Sequence, residues 1–184
     1  LSLEFKNDSE KIEKEIFKIT NKNFNIGSPK QLGEILFDDM GIKGAKKTKT
    51  GTYSTDSGIL ENLSHEGHTI AKLVLEWREL TKLRSTYTDS LLEQAEKKTN
   101  RVHTSYATAT TITGRLSSND PNLQNIPIRT ERGKKIRNAF IADNSNNLVS
   151  FDYSQIELRL AAEISDDKNF VEAFLRNEDI HSST

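Results

Sequence analysis

The stretch Leu148-Val-Ser-Phe-Asp-Tyr-Ser-Gln-Ile-Glu-Leu-Arg-Leu-Ala-Ala-Glu163 changes its structural preference in the middle. Its first residues are mostly apolar, which predicts a short buried strand over Leu148–Phe151. From Ser154 onward the apolar residues have helical spacing, which predicts a helix to Ile164. Asp152 comes between the two segments. The sequence therefore predicts a carboxylate at the tip of a strand, directly before a helix.

Two interpretations of Asp152 follow from these residues, and both remain open. An aspartate near the start of a helix interacts favourably with the helix dipole and can accept backbone N–H groups. However, Ser154 and Glu157 already have the Ser-x-x-Glu spacing of a capping box. A rigidly held carboxylate also suits a hard divalent cation such as Mg²⁺, which prefers oxygen ligands. Asp152 is thus either a structural acid or a metal ligand.

Composition limits the other possibilities. The chain has 184 residues, 34% of them hydrophobic and 29% charged, with a net charge of −1. It has no cysteine, which excludes disulfides and thiolate metal sites. No apolar run approaches the roughly 18 residues of a membrane span, and no signal peptide is visible, so we expect a cytoplasmic protein without a membrane partner. Because the sequence begins at Leu1 and stops at Thr184 without a closing element, we expect a piece of a longer protein.

The pattern along the chain predicts an α+β fold in two parts. Residues 1–98 have helical periodicity, interrupted by a lysine-rich loop from Gly41 to Thr55, and are expected to form an elongated helical lobe. Residues 99–184 are expected to contain short antiparallel strands and packed helices. The predicted strands are Ile136–Ala142 and Leu148–Phe151, and the second predicted helix at the end of the chain is Asp166–Arg176.

The segment from Thr113 to Pro127 is rich in asparagine, glutamine and serine, which is typical of a turn-rich linker. It also suits contact with the DNA minor groove, where the base pairs present acceptors at similar positions. Side-chain donors can bind those acceptors without regard to sequence. The candidate donors in this segment are Arg115, Asn122, Gln124 and Asn125.

Clusters of basic and hydroxyl residues are either solvated surface or contacts to DNA phosphates. Lys46, Lys47 and Lys49 form the first cluster. Arg84, Ser85 and Thr86 form a second candidate group, and a third basic run extends from Arg129 to Arg137.

Taken together, these segments resemble family A DNA polymerases. Asp152-Tyr-Ser-Gln-Ile-Glu-Leu-Arg159 is similar to the family's first polymerase motif, and Thr113-Gly-Arg-Leu-Ser-Ser118 with Asp120-Pro-Asn-Leu-Gln-Asn-Ile-Pro127 resembles its primer-template segment. Lys82–Asp89 resembles the end of the family's thumb, and Asp179-Ile-His181 the start of its nucleotide-site segment. The chain departs from the family's pattern at Ala107-Thr108, where histidine or asparagine followed by glutamine is usual.

The resemblance implies a division into a thumb, residues 1–98, and the first part of a palm, residues 99–184. It implies that Asp152 and the carbonyl oxygen of Tyr153 bind metal, with two Mg²⁺ ions in the complete enzyme. It also implies contacts to the deoxynucleoside triphosphate from Gln155, Glu157 and His181, where Glu157 excludes the ribose 2′-hydroxyl. It further implies that Arg115, Asn122, Gln124 and Asn125 contact primer-template DNA. The clusters of basic and hydroxyl residues would bind the phosphates of that DNA: Arg84, Ser85, Thr86, Lys46, Lys47 and Lys49.

The resemblance also implies what these residues cannot do alone. A two-metal site needs at least two carboxylates, and the family's second one lies later in the chain, as does the helix that binds the triphosphate. We therefore expect these 184 residues to bind duplex DNA without catalysing extension. Two other classes remain, a non-catalytic DNA-binding module and a single-subunit RNA polymerase, although a glutamate that excludes the 2′-hydroxyl argues against the latter. We expect activity at the bacterial nucleoid.

Overall fold

The computed structural model describes residues 1–49 and 51–176, which have an α+β fold. The described residues belong to two compact units, residues 1–140 and the unit that begins at Ile141. The division lies well after Lys98, so the compact units differ from the predicted thumb and palm. The thumb–palm boundary, which is a functional division, stays a prediction.

The first unit consists mainly of helices. Helix α1 packs on α4, and α3 packs on the same helix from another side. The buried residues Phe5, Ile12 and Ile16 of α1 have the helical spacing that the sequence indicated. The elements are α1 (Ser2–Thr20), α2 (Pro29–Gly33) with a π-helical continuation (Glu34–Asp39), α3 (Ser57–His65), α4 (Thr69–Leu83) with a π-helical continuation (Arg84–Asp89), α5 (Ser90–Gln94), β1 (Ser105–Ala107), β2 (Ser117–Asn119) and α6 (Glu131–Arg137).

Side-chain caps fix the starts of several helices. The Ser28 hydroxyl accepts a hydrogen bond from the backbone N–H of Gln31 at 3.5 Å, with Pro29 as the first helical residue of α2. Asp56 accepts from the backbone N–H of Ile59 at 2.9 Å and caps α3. These residue types satisfy N–H groups that have no partner within the helix.

The predicted strand over Ile136–Ala142 is wrong, because its first residues belong to α6. The Thr130 hydroxyl accepts from the backbone N–H of Gly133 at 3.1 Å and caps this helix. Glu131 lies in its first turn, and basic residues occupy its last turn. This charge arrangement is favourable to the helix dipole and outweighs the strand preference of the apolar residues that follow.

The predicted strand over Leu148–Phe151 is also wrong. This segment has no regular structure, and Leu148, Val149 and Phe151 are 70%, 69% and 93% exposed. A strand is stable only when neighbouring strands or a packed face support it, and among the described residues none pairs with this segment. The strands that do form are β1 and β2, which pair antiparallel with Tyr106 opposite Ser118. Short antiparallel strands were therefore expected correctly, although the two segments Ile136–Ala142 and Leu148–Phe151 do not form them.

The second unit contains helices α7 (Ile156–Ser165) and α8 (Lys168–Leu175), close to the predicted bounds. The two helices pack together, and the Arg159 guanidinium lies 4.7 Å from the centre of the Phe174 ring. The predicted capping box does not form. Gln155, with a left-handed φ of 53°, is the residue before α7, and no side-chain hydrogen bond caps this helix.

In the described part of the chain, no helix combines the length and apolar character needed to cross a membrane.

Candidate nucleic-acid interface

The segment from Leu116 to Asn125, which we call the groove loop, is held by a buried serine. Ser118 is 0% exposed. Its hydroxyl lies 2.7 Å from the hydroxyl of Thr104 and accepts from the backbone N–H of Leu123 at 3.0 Å. Thr104 Oγ1 also lies 2.8 Å from the carbonyl oxygen of Pro121, to which it donates. Short side chains thus tie both ends of the turn to the segment before β1.

Gln124 uses both ends of its side-chain amide within the groove loop. Its Oε1 atom accepts from the backbone N–H of Ser118 at 3.3 Å, and its Nε2 atom donates to the carbonyl oxygen of Leu116 at 3.0 Å. Gln124 is nevertheless an exposed residue. Its assignment as a DNA contact stays a prediction, and the geometry shows that the amide already has two protein partners.

The other candidate groove residues are exposed. Arg115, Asn122 and Asn125 all lie on the surface of the first unit. Asn122 Oδ1 accepts from the backbone N–H of Gln124 at 3.0 Å, which makes a tight turn. The backbone carbonyl of Asn125 accepts a hydrogen bond from the hydroxyl of Tyr87, whose side chain is 6% exposed. A buried residue that follows α4 thus fixes the end of the groove loop.

The candidates Arg84, Ser85 and Thr86 lie together in the π-helical continuation of α4. Arg84 Nε donates to Asp89 Oδ2 at 3.0 Å, while Ser85 and Thr86 are exposed. Thr86 and Asn122 both line an open groove of ≈ 330 Å³. The structure therefore brings this group next to the groove loop.

The basic loop, residues 41–55, contains a small hairpin. The backbone N–H of Thr48 donates to the carbonyl of Thr52 at 2.8 Å, and the backbones of Lys47 and Tyr53 form an isolated antiparallel β-bridge. The Lys47 ammonium lies 5.3 Å from the centre of the Tyr53 ring. Lys46, Lys47 and Lys49 are exposed, as phosphate contacts require.

Two contacts anchor this hairpin to the helices. The Tyr53 hydroxyl donates to Asp38 Oδ1 at 2.5 Å, and this hydrogen bond raises the pKa of Tyr53. The half-buried Arg78 donates to the carbonyl of Thr55 at 2.5 Å, and burial lowers the pKa of Arg78. The lysines are therefore presented by a supported hairpin, whereas the sequence indicated only a lysine-rich loop.

The third basic run is largely engaged within the protein. Arg132 donates through Nη2 to Glu76 Oε1 at 2.6 Å and through Nη1 to Glu79 Oε2 at 3.1 Å. The hydrogen bond to Glu76 raises the pKa of Arg132. Lys134 and Lys135 each lie 2.6 Å from a carboxylate, and Arg137 donates to the Ile126 carbonyl at 3.4 Å. Most cations of this run therefore stabilise the fold, which leaves few of them available for phosphate.

The candidate metal and nucleotide residues lie in the second unit, apart from His181, which falls outside the described residues. Asp152 and Tyr153 are exposed and precede α7 in an irregular segment, so Asp152 is not held at the end of a strand. Glu157 is exposed in the first turn of α7, and Gln155 precedes that helix. Among the residues described, no three histidine or acidic side chains come together as a metal site would require.

Sequence reasoning missed the contacts that support these candidates. The Thr104–Ser118 pair is separated by 14 residues and the Tyr87–Asn125 pair by 38, so no local pattern indicates either. The Arg132 fork joins residues more than fifty positions apart. The sequence signal for such ion pairs is a basic run, residues 129–137, in a chain whose helices carry acidic residues. This signal does not specify which charges pair.

Comparison with known proteins gives consistent matches over the whole chain. The model of the family described as DNA polymerase family A matches residues 1–184. DNA polymerase I of Rhizobium leguminosarum is 50% identical over 184 residues, which is 100% of this chain and 18% of that protein. The thermostable DNA polymerase I of Thermus aquaticus is 48% identical over 185 residues, with 100% of this chain and 22% of that protein covered. The chain thus spans about a fifth of the length of these relatives.

A solved structure has the same fold. The polymerase domain of Pol1 from M. smegmatis, in complex with DNA primer-template and dNTP, superposes with a TM-score of 0.87 at 41% sequence identity. The match covers 98% of this chain and 32% of that one.

Proposed function

Because this chain belongs to DNA polymerase family A, we propose that it is one segment of a DNA-directed DNA polymerase, which extends a primer on a DNA template with deoxynucleoside triphosphates. The observation that carries the proposal is the groove loop, a surface of exposed donors braced from behind by a buried serine, in a chain that matches the family throughout. The similar structure of 41% identity is described as a complex with primer-template and dNTP, which supports the same substrates here. We place its activity in the bacterial cytoplasm, at the nucleoid.

In this proposal the first unit binds the duplex. Arg115, Asn122 and Asn125 approach the minor groove, whose acceptors vary little between base pairs, so any correctly paired primer end can be bound. Lys46, Lys47 and Lys49 on the supported hairpin contact phosphates, and Ser85 and Thr86 do so beside the groove loop. Residues 1–98 correspond to the thumb and residues 99–184 to the first part of the palm.

The metal and nucleotide residues of the second unit complete the assignment. The carboxylate of Asp152 and the carbonyl oxygen of Tyr153 are hard oxygen donors that fit Mg²⁺ and would contribute part of its ligands. When bound, two such ions supply charge neutralisation at the phosphate and activation of the primer hydroxyl. Gln155, Glu157 and His181 would contact the incoming nucleotide, with Glu157 placed against the sugar. Because one carboxylate does not hold two ions, we propose that these 184 residues alone bind duplex DNA without extending it.

The proposal is tested in the complete protein by replacing Asp152 with asparagine, which keeps the side-chain shape and removes the charge. We expect primer extension to fall at least about a thousandfold, while duplex affinity stays within about twofold, since removing a metal ligand affects chemistry more than duplex binding. Glu163→Gln is the matched control, because it removes an exposed charge from α7. Equal activity of the two variants would refute the role of Asp152.

A further inference from the structure

We infer that Gln124 is a positioning residue whose amide braces the groove loop, so that Arg115 and Asn122 are presented to the minor groove while Gln124 itself reads no base. This inference rests on the proposed function, since it concerns how that duplex is bound. It differs from the assignment of Gln124 as a direct DNA contact, to which the sequence led.

The first step is the pair of hydrogen bonds that the amide makes. Gln124 Oε1 accepts from the N–H of Ser118, and Gln124 Nε2 donates to the carbonyl of Leu116. Both partners are backbone groups on the opposite side of the turn. The side chain therefore spans the loop and joins its two strands of chain, as a ladder hydrogen bond does in a sheet.

The second step is the burial of the main partner. Ser118 is 0% exposed, so its N–H cannot exchange Gln124 for water. If the amide turned outward to bind DNA, that N–H would be left buried without an acceptor, which is costly. The amide is therefore retained in the loop even though part of the Gln124 side chain is exposed.

The third step is the position of the two groove residues relative to this brace. Arg115 directly precedes Leu116, whose carbonyl accepts from Gln124. Asn122 accepts from the backbone N–H of Gln124 through its Oδ1 atom. Gln124 thus holds the chain next to Arg115 with its side-chain amide. With its backbone N–H, Gln124 holds the side chain of Asn122. Because the side-chain amide also holds the backbone of residue 124 across the loop, its loss is expected to shift the N–H to which Asn122 is bonded as well as the chain next to Arg115.

The brace itself is tested without DNA, by hydrogen–deuterium exchange in the complete protein. In Gln124→Ala the Ser118 amide loses its acceptor, and we expect its exchange to become at least about tenfold faster. Asn125→Ala is the matched control, because the groove loop is bound there through a backbone carbonyl that the substitution leaves in place. Unchanged exchange of Ser118 in Gln124→Ala would overturn the inference whatever the protein's activity. If Gln124→Ala does not fold, Gln124→Met gives the same test at Ser118, because methionine has nearly the length of glutamine but no amide oxygen to accept from that N–H.

The role toward DNA is tested with primer-templates in which single purines carry a carbon in place of N3, which deletes one minor-groove acceptor at a time. In the unmodified protein, each position that is contacted shows a loss of kcat/KM. Arg115→Ala and Asn122→Ala identify the purines that these two residues contact, because the loss of kcat/KM at those purines becomes smaller. If Gln124 acts as a brace, Gln124→Ala makes the loss smaller at all of these purines together. Ser118→Ala, which removes the hydroxyl on the other side of the loop, is expected to do the same.

The opposite result is equally clear. If Gln124→Ala abolishes the loss at one purine and leaves the others at full size, Gln124 contacts that base directly and the inference is wrong. Absence of primer extension on every substrate would instead refute the proposed function, while the exchange experiment would still decide whether the brace exists.

Discussion

Replacing Arg132 with methionine would remove the fork that joins α6 to α4 while keeping a long apolar stem. In the structure the guanidinium reaches Glu76 at 2.6 Å and Glu79 at 3.1 Å, which joins the start of α6 to this helix. Glu76 and Glu79 are three residues apart on α4, so they lie on one face of the helix. The planar fork of arginine matches that spacing, which a lysine ammonium cannot do as a single point charge.

The expected loss follows from the exposure of the three side chains, which is 31%, 35% and 32%. Fully exposed pairs contribute about 0.2–1 kcal/mol, and hydrogen bonds to charged groups contribute up to about 3 kcal/mol when buried. At one-third exposure we take about 1 kcal/mol for each pair. Because Arg132 is a cation in the first turn of α6, its removal returns about 0.5 kcal/mol of unfavourable interaction with the helix dipole. The net decrease in the free energy of unfolding is therefore about 1.5 kcal/mol.

Urea unfolding at low ionic strength measures this loss. With a denaturant slope of about 2 kcal/mol/M, the midpoint should fall by about 0.7 M. Lys134→Met is the matched control on the same helix, since its pair with Glu131 is 53% and 85% exposed and three residues apart. We expect that control to change the free energy of unfolding by less than about 0.5 kcal/mol. Equal midpoints for the two variants would refute the reasoning, as would a double-mutant cycle of Arg132 with Glu76 that gives no coupling.

Three further predictions concern acid stability, DNA binding and sugar selection. Hydrogen bonds from the N–H of Ile59 and then from the Ser54 hydroxyl lower the pKa of Asp56. The contribution of Asp56 to stability is therefore present above the unfolded-state pKa of about 3.9 and is lost as the pH falls through the folded-state pKa. Asp56→Asn should lose less stability between pH 7 and pH 3 than the unmodified protein does, as measured by urea unfolding at both pH values. Replacing Lys46, Lys47 and Lys49 with alanine should lower the slope of log K against log salt by about 0.9 for each phosphate that a lysine no longer neutralises, as measured by duplex titration at several salt concentrations, whereas Lys134→Ala should leave it unchanged. In the complete protein, Glu157→Ala should raise the use of ribonucleotides relative to deoxynucleotides in single-nucleotide incorporation, and an unaltered ratio would count against the placement of Glu157 beside the sugar.

The helices of the first unit could be predicted because their determinants are local. The apolar residues of α1 repeat at helical spacing and are buried on one face. Ser28 and Asp56 mark helix starts within three residues of the groups that they cap. Such signals act over a few residues, so tertiary structure does not need to be known.

The errors have physical causes that also follow from particular residues. Ile136–Ala142 has the apolar and β-branched character of a strand, but Thr130 caps a helix and the charges of α6 favour it. Leu148–Phe151 has a strand-like composition, yet a strand depends on partners that its own sequence does not contain. Strand assignment thus failed once against a local helix signal, the Thr130 cap, and once because the necessary partner strands are distant in sequence.

The site was predicted only as a set of surface residues. The resemblance identified Arg115 and Asn122, the clustering of charge identified the lysines of the basic loop, and the structure finds all of them exposed. It could not indicate that Ser118 and Thr104 would meet in the interior, since serine and threonine are common in turns whether or not they have such a partner. Nor could it indicate that Arg132 pairs with two glutamates of α4.

The hydrogen bond from Tyr87 to the backbone of Asn125 has a consequence for engineering this surface. Every amino acid carries the carbonyl oxygen that accepts this bond, so position 125 can be varied widely in a mutant library without releasing the chain from its anchor. Position 87 lacks that freedom, because phenylalanine would fill the same space and leave the carbonyl without its donor. Libraries that alter duplex preference should therefore randomise residue 125 and keep the tyrosine.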